Sequence, residues 1–326
     1  EAVGAYYKDF STRPERERQL SRAKAYETLA QKYRTDDEAQ IFYALYLAGT
    51  QTQADQTYAA YLKAAAILED EFKKYPDHPG VAHYLIHSYV APPIADKGLT
   101  AARRYASIAP AAPHALHMPS HIFTRVGSWQ ESAATNKRSR DVAIAGNEQD
   151  EAYHASDYMV YAYLQLARDA EARRSIDEVM KVTGISARFV APYAIAAMPA
   201  RYVYERGAWA EAAKLQPVGS TYPFVEAITY FTRSVCAARR GDVAAASKDA
   251  EQLEIIYRAP VDAKNAYWAK EVEVQRLAAA AWIALAEKKT GIPAANILVS
   301  ATHTHTAPTV GGVFQSEPDQ GYIKFL

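Results

Sequence analysis

Histidine spacing carries the chemistry of this chain. His83 and His87 form one His-x-x-x-His pair in PGVAHYLIHSY, and His117 and His121 form a second in HALHMPSHIF, thirty-four residues later. His154 follows in AYHASDYMVY. Residues i and i+4 of a helix lie on one face about a turn apart, so each pair can offer two imidazoles to one ion. His114 and Arg125 share the register of His117 and His121, and Asp150, Asp157, Tyr158 and Tyr161 share the face of His154. In this reading His83, His87, His117, His121 and His154 are metal ligands, at least three of them on one ion or a close pair. Asp157 or Asp150 acts as base or partner, and Arg125 steadies a developing oxyanion.

The elements that position these residues read as helices. Helical periodicity runs almost unbroken to residue 289, and the expected helices are 13–33, 37–48, 54–75, 79–90, 93–108, 113–126, 128–145, 150–167, 169–183, 187–206, 208–216, 222–240, 242–258 and 262–288. Pro and Gly fall between them, among others at Pro79, Pro92, Pro113, Gly127, Gly207, Pro217 and Gly241. Period-two alternation is almost absent, so the fold class is all-α. The segments starting at Gly127, Ala167, Gly207 and Gly241 resemble one another and begin 40, 40 and 34 residues apart. Each closes one helix and opens the next.

That punctuation resembles tetratricopeptide repeats, whose helix pairs stack into a superhelix with the first helix of each pair lining the concave face. The expectation is a tetratricopeptide-like α-solenoid over residues 1–289, a right-handed stack of antiparallel helix pairs with a short non-helical C-terminal tail. The histidines fall on alternate helices (79–90, 113–126 and 150–167), hence on one layer, and converge if that layer is the concave one. Of the 24 tyrosines, most are read as packing residues; only Tyr84, Tyr158, Tyr161 and Tyr202 are placed near the site.

The stretch HPGVAHYLIHSYVAPPIADKGLTAARRYASIAPAAPHALHMPSHIFTRVGSW resembles a family of bacterial tetratricopeptide-repeat proteins marked by His-Pro-Gly-x-x-His-Tyr-x-Ile-His and His-Ala-Leu-His-Met-Pro-Ser-His-Ile-Phe. The resemblance covers most of residues 20–289 and implies fold and site without implying an activity. An acidic residue usually follows the family's first motif, where this chain has Val90. Any role of that carboxylate must fall to another group or be lost. From residue 290, GIPAANILVSATHTHTAPTVGGVF is similar to a segment of the neutral ceramidase family, which implies a zinc ligand at His303 and an active-site neighbour at His305. Fewer than forty residues of that larger enzyme have a counterpart here. Residues 290–326 therefore read as a fusion or read-through tail that contributes little to the chemistry.

Composition narrows the alternatives. Lys+Arg and Asp+Glu are both 37, so bulk charge recruits neither nucleic acid nor an anionic membrane. The one cysteine, Cys236, excludes internal disulfides and multi-thiolate zinc sites. No apolar run reaches the roughly 20 residues that span a bilayer. The opening EAVGAYYKDF is helix-like, so a leader or N-terminal piece is expected to precede it, and cytoplasmic and periplasmic placement stay open. Thiol-free nitrogen donors suit Zn2+ first, then Cu2+, Fe2+, Ni2+ or Mn2+. A zinc ion with one open position supplies hydroxide near neutral pH, which points to hydrolysis of a phosphate, sulfate or carboxylic ester. Gly-x-Ser-x-Gly, Walker and Rossmann motifs are missing, and Ser120 does not face His121 as a nucleophile beside a base would. The reading from another class is a scaffold that binds peptides or proteins in the concave groove, its His cluster structural or for metal storage.

Overall fold

The computed structural model describes residues 2–52, 54–186, 188–259 and 266–287. All regular structure among them is helical, with no strand. No helix among them is long and apolar enough to cross a membrane. The chain divides into two compact units, the first ending at Val142 and the second beginning at Ala143. The tail placed at 290–326, with His303 and His305, lies outside the described residues.

The first unit contains α1 (Ala2–Tyr7), α2 (Glu15–Lys32), α3 (Asp37–Ala48), α4 (Ala59–Lys74), α5 (Pro79–Ser88), α6 (Leu99–Ile108), α7 (Pro113–His117), α8 (Pro119–Arg125) and most of α9 (Trp129–Ala145). Each of α2 to α6 packs on its successor or the next helix, and α3 also touches α5. The reason is legible in α5. Ala82, Leu85, Ile86 and Tyr89 form a buried i, i+3, i+4, i+7 stripe, while His83 and His87 point from the other side. Burial of Leu85 and Ile86 contributes roughly 1.5–3 kcal/mol each and fixes the rotation of the helix, and with it the direction of both imidazoles. His78 starts α5: its Nδ1 accepts from Val81 N at 3.2 Å and its Nε2 meets Glu38 Oε1 at 3.1 Å. The histidine of the His-Pro-Gly motif is thus a helix cap.

The second unit contains α10 (Gln149–Gln165), α11 (Asp169–Val179), α12 (Val190–Glu205), α13 (Pro223–Arg239), α14 (Val243–Arg258) and α15 (Ala266–Ala286). Here α10 packs on α11 and α12, and α13 on α14 and α15. Alanines at 152, 155, 162, 194 and 197 are buried, which lets the helix backbones approach closely.

The four residues that punctuate the sequence all adopt left-handed backbone: Gly127 at φ 75°, Ala167 at φ 54°, Gly207 at φ 64° and Gly241 at φ 80°. At each, the next amide reaches back five residues (Ser128 to Phe123 O, Arg168 to Tyr163 O, Ala208 to Val203 O, Asp242 to Ala237 O) at 2.8–3.0 Å. This is the helix-closing bond pattern that a left-handed C-cap makes.

Several expected elements differ. Residues 208–216 are turns with a short 3-10 segment at Ala212–Lys214 that ends at extended Leu215, and Pro217 disfavours helix at the residue before it. The helix expected over 54–75 begins at Ala59, after left-handed Tyr58 at φ 54°. The segment 93–108 starts as a 3-10 helix, Pro92–Gly98, and becomes α only at Leu99. Gly98 is required there, since a Cβ would lie 2.8 Å from Ile122 Cδ1 and 3.1 Å from Tyr89 Cβ. Finally, 113–126 is interrupted at Met118. Pro119 has no N–H for the carbonyl four residues before it. Hydroxyls from α9 serve the broken turn, Ser139 Oγ donating to Pro113 O at 2.7 Å and Thr135 Oγ1 to Leu116 O at 2.5 Å.

A candidate metal centre built from histidine pairs

Both His pairs are assembled, in the first unit. On α5, His83 Nε2 and His87 Nε2 stand 3.1 Å apart with the rings stacked at 4.8 Å between centroids. Across the Met118 break, His117 Nε2 and His121 Nε2 stand 3.0 Å apart with the rings edge to face. Two nitrogens about 2.0–2.1 Å from one metal, at the angles tetrahedral or octahedral sites use, are separated by about 2.9–3.4 Å. Both pairs have that bite.

The pairs differ in surroundings. His117 is fully buried. Its Nδ1 lies 2.7 Å from Asn136 Oδ1, and the Asn136 amide is oriented by donating its Nδ2 hydrogen to Ser132 O at 2.8 Å. An oxygen facing Nδ1 accepts a hydrogen, so Nδ1 carries the proton and Nε2 presents its lone pair towards His121. That is the outer-partner pattern of metal-ligating histidines. Ser120 Oγ donates to the same Asn136 oxygen at 3.4 Å, a supporting role rather than a nucleophilic one. Arg125 lies one turn beyond His121 at the end of α8 and is half-buried.

The His83/His87 pair is open, with His83 half-buried and His87 exposed. The His83 ring stacks on Tyr105 at 5.4 Å, its Nδ1 lies 3.5 Å from the Tyr105 hydroxyl, and exposed His114 brings its ring within 5.3 Å. Burial, then His87 and His114, push the His83 pKa down to about 3. Protein atoms crowding His87, together with His114, lower it too. Both imidazoles are neutral at ordinary pH, the form that ligates metal.

No family model matches the chain, and neither a curated protein nor a solved structure matches it.

The remaining sequence-derived candidates belong to the second unit. His154, on α10, sets its ring edge-on to Tyr158 at 5.5 Å. Asp157 is buried and ion-paired with Arg201, which also lies over the Tyr161 ring. Asp150 accepts from the backbone and the hydroxyl of Ser186, latching the loop before α12. Tyr202 lies between Arg206 and Arg173 as a packing residue. Sequence reasoning passed over Asn136 and Tyr105. Neither sits in a motif, and each meets its histidine through tertiary packing alone.

Proposed function

We propose that this chain is a metal-dependent hydrolase carried on a tetratricopeptide-like α-solenoid. The observation that carries the reading is the His117 arrangement: Nδ1 held by Asn136, Nε2 turned to His121 Nε2 at 3.0 Å. His117 and His121 supply two ligands to one ion, its remaining positions being left to water or substrate. Imidazole nitrogens and no thiolate favour Zn2+ over other divalent transition metals. Bound with one position open, such an ion supplies hydroxide near pH 7 for attack on a phosphate, sulfate or carboxylic ester. Arg125, one turn past His121, is the residue suited to an anionic substrate group.

The solenoid reading is supported by helices that touch the next but one (α3 with α5, α10 with α12, α13 with α15) and by the left-handed caps at 127, 167, 207 and 241. The two His motifs likewise support kinship with the bacterial tetratricopeptide-repeat family. The tail at 290–326 has no assigned part in the chemistry.

One observation favours the scaffold reading, in which the metal is structural or stored and the solenoid binds peptide: Asp150 and Asp157, the carboxylates suited to act as base, already hold Ser186 and Arg201. Elemental analysis of protein purified without a His tag is expected to find at least one equivalent of transition metal, lost in His121→Ala. Hydrolysis of an ester panel, abolished by chelator and restored by Zn2+, separates enzyme from scaffold. Folded protein that takes up no metal from supplemented medium overturns both metal readings.

A further inference from the structure

The His83/His87 pair has a facing-nitrogen geometry of its own, independent of the group containing His121. We infer that His83 and His87 form a second metal site, solvent-open and exchangeable, that holds a divalent transition ion by two protein nitrogens and leaves its other positions to water or an anionic ligand. Three observations converge. The Nε2 atoms stand 3.1 Å apart, a chelating bite. The bite is rigid, because Ala82, Leu85 and Ile86 are buried on the opposite face of α5 and the His83 ring is stacked on Tyr105. Accessibility is the third: His87 and His114 are exposed, so an ion reaches the pair without any rearrangement of the fold.

The contrast with His117 and His121 gives the expected order of affinity. His117 is fully buried and its tautomer is set by Asn136 at 2.7 Å. His83 Nδ1 faces the Tyr105 hydroxyl at 3.5 Å, a weak partner. A ligand whose tautomer is not fixed binds roughly 10–100-fold more weakly, so the open pair fills second. Its ion is the one a bound anion touches from solvent.

The test is calorimetric titration of the metal-free, tag-free full chain with Zn2+, repeated with Co2+ to follow its visible bands. Wild type is expected to bind in two separable steps. His87→Ala should lose the weaker step, by at least about a hundredfold in affinity, and keep the tighter one; His121→Ala should do the reverse. Should His87→Ala lose helix content by circular dichroism, His83→Gln gives the same reading. If His87→Ala keeps both steps, the 3.1 Å pair is only a hydrogen bond between two rings and the inference falls. If both variants lose one common step, all four imidazoles serve a single site and it also falls. Loss in His87→Ala with His121→Ala unaffected would leave this site standing and overturn the proposed hydrolytic centre instead. A wild-type chain that binds neither ion overturns both.

Discussion

Asn136→Ala tests whether the contact to Asn136 prepares His117 to hold a metal ion, as proposed. The side chain has two jobs: Oδ1 accepts from His117 Nδ1 at 2.7 Å, and Nδ2 donates to Ser132 O at 2.8 Å. Truncation removes the acceptor from a fully buried N–H, an unsatisfied group that costs about 1–3 kcal/mol. The imidazole can relieve part of that by moving its proton to Nε2, but Nε2 is then no longer a lone-pair donor. Loss of an outer partner of this kind weakens metal binding by about 10–100-fold, which is about 1.4–2.7 kcal/mol. The assay is competition between apo-protein and a chromogenic chelator for Zn2+, beside urea denaturation of the same apo-protein to record the separate stability cost. Asn136→Asp is the control, since a carboxylate also accepts from Nδ1–H and raises ligand basicity; it should bind at least as tightly as wild type once folded. Unchanged affinity in Asn136→Ala, with its stability loss in plain view, would refute the argument that the Asn136 contact prepares the ligand.

Ala167 adopts φ 54°, a conformation that costs an L-residue about 1–2 kcal/mol. Ala167→Gly should therefore stabilise by up to about 1 kcal/mol after the entropy glycine adds to the unfolded chain, read as a higher urea midpoint. Gly98→Ala forces a methyl to within 2.8 Å of buried Ile122 and should destabilise by about 1–3 kcal/mol. Because Ile122 neighbours His121, its metal affinity should fall as well. For pH, the His83 pKa is about 3 in the folded protein against an ordinary 6.5. As pH falls below 6.5 the unfolded chain takes up a proton that the folded one refuses, so metal-free protein loses stability progressively from about pH 6.5 towards 3. His83→Gln should flatten that slope in urea melts, and an unchanged slope would show that His83 is not the group responsible.

Much of the fold was legible because its punctuation is a backbone requirement. Gly127, Gly207 and Gly241 begin similar segments in the sequence and all three take positive φ. Ala167 fills the same place without being glycine, and only the spacing of 40 on either side identifies it. The inner stripe of α5 was equally open to inspection, since residues 82, 85, 86 and 89 are apolar and 83 and 87 are not. What failed was local competition between propensities. Residues 208–216 carry helical periodicity, but Pro217 and left-handed Gly207 compress the segment from both ends, and it settles into turns. Helix 113–126 contains its own break at Pro119, beside which Thr135 and Ser139 arrive from α9 to bond the carbonyls of Leu116 and Pro113. No pattern within 113–126 announces that help.

The same division runs through the candidate metal centre. Spacing i, i+4 sets the nitrogen separation, and it does so at 3.1 Å on unbroken α5 and at 3.0 Å across the interrupted α7 and α8. The bite is therefore a local property that sequence carries. Tautomer and burial are not local: the partner of His117 lies 19 residues away and that of His83 lies 22 away, each on a different helix. A buried amide oxygen faces His117 at 2.7 Å, whereas the buried Tyr105 hydroxyl stands 3.5 Å from His83, a weaker partner, and His87 beside it is exposed. Exchanging those partners should exchange the character of the sites. A chain carrying both Asn136→Ala and Tyr105→His, the latter placing a third nitrogen beside His83, should bring the two Zn2+ affinities together or invert their order, whereas two sites ranked by the His-x-x-x-His spacing alone would keep the order they had.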